Sequence, residues 1–303
     1  PLEVGAPLPC VAHELDTHGI DYVYHYFDLR HLDFGELPYA GVLSELLGRL
    51  ATARHSASDL DTLVETNLGG LDFFVETYTR DDDLSFAAPT LVVGASALSE
   101  KAAALSELPR EVWGETDFGD LARIRDILTQ RRVALEQYYL SSGHAAALGR
   151  TSTYFSSAAR ASGAMGGLDY YLFLRDVLEH WDERAAGLPG ILADLARRVF
   201  TAGNVTVSFT GPAADRELFW ERGGTLGLPP AVEGPGRLVV PAPGPRREAF
   251  VIPSDVAYVA RAGAPSTADA GSVGAWQVAT RVLSYDYLWN EVRVKGGAYG
   301  VGF

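Results

Sequence analysis

Cysteine is nearly absent from this 303-residue chain: there is one, Cys10. A lone thiol excludes an intrachain disulfide framework and a cysteine-built metal site, and it fits a reducing, cytoplasmic setting. Long apolar runs are missing too. No stretch approaches the roughly 18 residues that span a bilayer, and the start has no basic segment followed by an apolar one. No membrane partner is therefore expected. Positive charge is scarce: 25 Lys and Arg stand against 39 Asp and Glu, a net charge of −14. Sequence-independent nucleic-acid binding needs clustered cations, so nucleic acid is not expected as a partner. Cationic peptides would be steered toward such a surface, although acidity for solubility alone explains the same charge.

Ready-made catalytic motifs are also lacking. None of the seven histidines, His13, His18, His25, His31, His55, His144 and His180, completes His-x-x-Glu-His, which places two metal-binding imidazoles one helical turn apart with a base beside them. Asp176 and His180 have the helical spacing, but Asp stands where the first His is needed. His13 and His18 are five apart, too many for one helix face and opposite in a strand. His25 and His31 sit six apart across an expected strand end. There is no Gly-x-Ser-x-Gly; Ser141-Ser142-Gly143-His144 reads as a helix-ending loop. Cys10 has His13 nearby and nothing else to activate it. Gly163-Ala164-Met165-Gly166-Gly167 lacks the Lys-Ser/Thr and the preceding strand of a phosphate loop. No metal site is expected in this chain.

What is present describes an ordinary globular protein: 47% apolar residues, 21% charged, and length for two domains. After an irregular lead-in over residues 1–9, residues 20–29 alternate aromatic and polar side chains and predict a half-buried strand. Val42, Leu43, Leu46, Leu47 and Leu50 form a helical stripe, and residues 56–67 a short helix capped by Ser56. Residues 71–79 and 89–95 read as neighbouring strands. Helices are expected over 99–108, from Gly119-Asp120 to about Leu135, over 168–181 and over 188–200, with 151–162 connecting or continuing them. Residues 204–210 predict a strand and 214–221 a short helix. Pro229-Pro230, Gly234-Pro235-Gly236 and the Pro241-to-Pro245 run have linker composition. Residues 249–252 and 257–260 then read as strands, and 272–290 as a helix.

The stretch that organises the rest follows that helix: Asn290-Glu291-Val292-Arg293-Val294-Lys295-Gly296-Gly297-Ala298-Tyr299-Gly300. The helix is expected to end near Lys295, on Gly296-Gly297 in a left-handed or tight backbone. A short strand over 298–301 would carry Tyr299. Two readings stay open on the residues alone. Arg293 and Tyr299 converge on one carbonyl oxygen, or on the oxyanion it becomes, offering a fork of N–H donors and a phenol. Alternatively, Arg293 compensates the helix C-terminus and Tyr299 only packs.

This C-terminal stretch resembles the signature of pitrilysin/insulinase-type zinc metallopeptidases, in particular the presequence protease and falcilysin branch. Asp16-Thr17-His18-Gly19-Ile20-Asp21-Tyr22-Val23 with Tyr26-Phe27-Asp28-Leu29 is similar to the opening strands of that branch's third domain, with His18 where Asn is commoner. The resemblance implies an α+β fold: two insulinase-like α/β domains, each a mostly antiparallel sheet with helices packed on one face, the second incomplete. It places the third domain of a parent enzyme at residues 1–230, a Gly/Pro-rich linker at 231–245, and the truncated start of the fourth at 246–303. The chain begins at Pro1 and stops at Phe303, and is expected to be a piece of a longer protein.

The resemblance further implies zinc in the full-length enzyme, bound by the N-terminal half and not by this chain. Arg293 and Tyr299 become catalytic and substrate-binding residues, with Gly296 and Gly297 shaping the substrate-binding corner and Lys295 a weaker candidate. The partners implied are the N-terminal catalytic half of the same protein and an unfolded peptide held in a closed chamber. The chain alone is expected to hydrolyse nothing. The alternative is a non-catalytic insulinase-like scaffold or partner-binding subunit.

Overall fold

The computed structural model describes residue 2 and residues 5–80, 83–230, 238–244, 246–263 and 273–303. The chain forms two compact units, Pro1–Ala262 and Gly263–Phe303. Among the described residues, no helix is long and apolar enough to cross a membrane.

The first unit is built on one sheet. The alternating segment becomes β2 (Ile20–Asp28), with Val23, His25 and Phe27 fully buried on one face and Tyr22 and Tyr24 exposed on the other. Period-two alternation is what a sheet covered on one side demands. Residues 71–79 and 89–95 fall within β3 (Gly70–Arg80) and β4 (Asp83–Leu98), which pair antiparallel, with a register irregularity between Tyr78 and Arg80. β2 lies between β4 and β5 (Val205–Gly211), antiparallel to both. The order is β1-β5-β2-β4-β3. The edge strand β1 (Cys10–Glu14) runs parallel to β5, pairing Cys10 with Val207 and Glu14 with Gly211.

The helices are α1 (Leu37–Leu46), α2 (Ala57–Asn67), α3 (Ala104–Glu115), α4 (Leu121–Ser141), α5 (Gly143–Ser152), α6 (Ser157–Gly166), α7 (Leu168–Glu179), α8 (Trp181–Arg184), α9 (Leu188–Val199) and α10 (Ala213–Glu221). Ser56 caps α2 by accepting from the Asp59 N–H, and Asp120 caps α4 by accepting from that of Arg123. α1 and α6 pack closely: a side chain at Gly41 would strike the Met165 carbonyl and the Tyr170 ring, so only glycine permits that approach. The core runs continuously from the inner face of the sheet into the helices. At its centre, Phe27 meets Phe200 edge-on with ring centroids 4.9 Å apart and Trp113 at 5.6 Å. Three aromatic side chains of this size contribute several kcal/mol, and truncating Phe27 to Ala would cost about 3–5 kcal/mol.

Several local expectations are corrected. Residues 10–14, adjoining the lead-in, form β1. The helix expected over 99–108 is split: a short 3-10 helix covers Ser99–Lys101, and α3 follows from Ala104 and runs on to Glu115. Residues 249–252, 257–260 and 298–301 form no strand. A strand exists through its ladder, and between residues 249 and 260 the only backbone hydrogen bond among the described residues is Ser254 N–H to the Ile252 carbonyl. These residues are held instead by side chains, described below.

Candidate functional site

The second unit is mainly one helix. α11 (Val273–Val282) continues into a wider π-helix, Leu283–Val294. The widening is visible at its end, where the Lys295 N–H donates to the Asn290 carbonyl, five residues back, at 3.0 Å. The helix closes on its two glycines. Gly297 adopts φ +74°, its N–H donates to the Arg293 carbonyl, and the Ala298 N–H turns back to the Val292 carbonyl at 3.2 Å. This resembles a Schellman closure widened by one residue. At Gly296, a Cβ would lie 2.5 Å from the Val292 carbonyl oxygen, so the close return of the chain needs glycine there as well.

That closure brings Arg293 and Tyr299 together, though not side chain to side chain. Arg293 Nε donates to the backbone carbonyl of Tyr299 at 3.0 Å. The guanidinium lies over the Trp289 ring, 4.0 Å from its centroid. The Tyr299 side chain is 94% exposed and projects into solvent. Lys295 is occupied by an ion pair with Glu291 at 2.5 Å. Among the described residues, the two terminal nitrogens of Arg293 have no hydrogen-bond or ion-pair partner. The corner therefore presents a fixed cation and a free phenol, six residues apart, both able to donate to an oxygen.

The alternative constellations separate. Cys10 is fully buried, while His13 is exposed three residues further along the same strand, on the opposite face. His18 sits in a turn at φ +55°. His25 is buried among Phe27, Trp113 and Phe219, where desolvation lowers its pKa to about 3, so it is neutral at pH 7. His180 and Asp176 face each other at 3.2 Å, but the same carboxylate is held by Arg184. Gly163 and Gly166 lie inside α6. Among the described residues, no three His, Cys, Asp or Glu side chains cluster as a metal site, so these residues do not fit zinc.

Sequence reasoning missed Trp289. Its spacing of four residues before Arg293 was a usable signal, because side chains one helical turn apart are neighbours.

Comparison with known proteins gives this geometry a family. Residues 4–177 match the family of domains associated with peptidases of family M16, subfamily C, and residues 247–303 match the PreP C-terminal domain. The chain is 30% identical to Protein HypA of Clostridium perfringens over 95% of its own length and 30% of that protein. It is 28% identical to presequence protease 1, chloroplastic/mitochondrial, of Arabidopsis thaliana, over 99% of its own length and 28% of the relative. It thus spans about 30% of the length of these relatives. A conserved protein from Enterococcus faecalis shares the fold, with a TM-score of 0.52 at 13% identity over 75% of this chain and 51% of that one. The chain belongs to this family of M16 peptidase-associated domains and corresponds to part of the C-terminal half of presequence-protease-type M16 proteins.

Proposed function

We propose that this chain is the substrate-clamping part of a metalloendopeptidase that degrades unfolded peptides inside a closed chamber. In this reading residues 1–230 are the third domain of the parent enzyme and 246–303 open the fourth. The zinc is assigned to the N-terminal half of the parent protein; among the described residues of this chain no three His, Cys, Asp or Glu side chains cluster to hold it. The observation that carries the reading is the state of Arg293. Its Nε is tied to the Tyr299 carbonyl, and among the described residues its terminal nitrogens are unengaged.

Those terminal N–H groups are the donors that a substrate carbonyl would meet. They would bind the ground-state oxygen weakly and the oxyanion of the tetrahedral intermediate more strongly, because charge-assisted hydrogen bonds strengthen as negative charge develops. The Tyr299 hydroxyl supplies a second donor once the substrate approaches its exposed ring. Gly296 and Gly297 hold the corner tight enough for both side chains to serve one peptide. The net charge of −14 favours cationic segments among the peptides admitted.

The test is Arg293→Ala in the full-length protein, assayed on an unstructured peptide. Turnover is expected to fall about a hundred- to a thousandfold, the usual effect of losing one oxyanion donor, with the thermal midpoint unchanged. Full activity in that variant would refute the role.

A further inference from the structure

We propose that Trp289 is a positioning residue of this site, the platform that fixes the plane of the Arg293 guanidinium. The inference rests on the role proposed for Arg293. An arginine side chain has many rotamers, and one that must meet an oxyanion needs its fork fixed before the substrate arrives. In this chain arginines are commonly fixed by carboxylates. Arg30 is held by Asp28, Arg54 by Glu111 and Glu115, Arg150 by Asp169 and Glu248, and Arg198 by Glu36 and Asp194. Each of those guanidinium charges is partly neutralised where it sits.

Arg293 is held differently. Among the described residues its partners are a ring and a carbonyl, both neutral: Trp289 at 4.0 Å from the centroid and the Tyr299 carbonyl at 3.0 Å. The indole face fixes the plane through its quadrupole, and the carbonyl fixes the rotation within that plane through Nε. The two contacts leave both terminal nitrogens free and the charge undiminished. Glu291 lies two residues away and is taken up by Lys295, so it does not compete for the guanidinium. Trp289 is 37% exposed on the helix, so its ring is not explained by burial in a core of this unit.

The experiment is a double-mutant cycle in the full-length protein with an unstructured peptide substrate. Trp289→Ala is expected to lower kcat about three- to thirtyfold with KM changed less than about twofold, the range of a cation–π contact. Trp289→Phe, which keeps an aromatic face, should restore kcat to within about threefold of the parent. On an Arg293→Ala background, Trp289→Ala should cost nothing further, because its effect passes through the arginine. Unchanged kcat in Trp289→Ala, or a loss that adds fully to that of Arg293→Ala, would overturn the inference while leaving the role of Arg293 intact. Unchanged kcat in Arg293→Ala would overturn that role and the inference with it.

Discussion

Arg150 grips the carboxylate of Glu248 through Nε and Nη2, at 2.6 and 3.0 Å, across 98 positions of sequence. Tyr154 donates its hydroxyl to the same carboxylate at 3.0 Å, and Arg150 also donates to Asp169 at 2.8 Å. Nearby, Tyr258 lays its ring against Gly143 and donates its hydroxyl to the Leu140 carbonyl at 3.1 Å. These contacts hold an irregular segment on α4 and α5 without a single strand ladder.

Removing that grip should loosen the segment. Glu248→Gln is expected to lower stability by about 1 kcal/mol and Arg150→Met by about 2 kcal/mol, since the arginine also leaves Asp169 unpaired. Arg150, followed by the Tyr154 hydroxyl, holds the Glu248 pKa down to about 2. A carboxylate whose folded pKa is depressed stabilises above its unfolded value near 4.5, and this contribution is lost as pH falls from there toward 2. Chemical denaturation at about pH 7 and about pH 3 checks both points: the penalty of Glu248→Gln should be fully present at the first pH and cut to about half at the second.

His25 gives acid sensitivity in the same direction. Burial lowers its pKa to about 3 against an ordinary 6.5. The folded state resists a proton that the unfolded chain accepts, so stability declines as pH drops through 6.5 toward 3. The expected loss between pH 7 and pH 5 is about 2 kcal/mol from this residue. Denaturant midpoints of His25→Phe across that range should show a correspondingly flatter profile, the phenyl ring keeping the contacts with Trp113 and Phe219.

Asp21 works in the opposite sense. It is fully buried, and desolvation, then the nearby Asp215 charge, raises its pKa to about 6. Its ionised form is disfavoured in the fold, so this group destabilises above pH 6, and the penalty is relieved as pH falls from 6 toward 3.8. Asp21→Asn should therefore raise the thermal midpoint at about pH 7.5, by about 1 kcal/mol in stability, and have little effect at about pH 4.5. A midpoint that rises equally at both pH values would rule out ionisation as the cause.

The glycine corner is the remaining test. Gly297→Ala forces φ +74° on a residue with a Cβ, at a cost of about 1 kcal/mol. Gly296→Ala sets a methyl 2.5 Å from the Val292 carbonyl oxygen. In the full-length protein, Gly296→Ala is expected to lose peptide turnover at least about tenfold with the first unit unchanged in far-UV circular dichroism, because Tyr299 would no longer return to Arg293.

The alternating run of residues 20–29, the apolar stripe from Val42 to Leu46 and the Ser56 and Asp120 caps made β2, α1, α2 and α4 legible from sequence, because each is decided by side chains within a few positions of one another; Leu47 and Leu50, expected on the same stripe, lie past the end of α1. The signature from Arg293 to Tyr299 was legible for the same reason. Its glycines state locally that the helix must end and the chain must turn. β1 was not legible: its five residues form a strand only because β5, nearly 200 positions later, supplies the ladder. Residues 249–252 have the composition of a strand and, among the described residues, no ladder partner, so the Arg150–Glu248 grip settled their conformation instead. Trp289 lay in plain view as one aromatic among many. Only the π-helical widening and the closure at Gly297, which set the ring, the guanidinium and the Tyr299 carbonyl within one reach, gave it a place in the site.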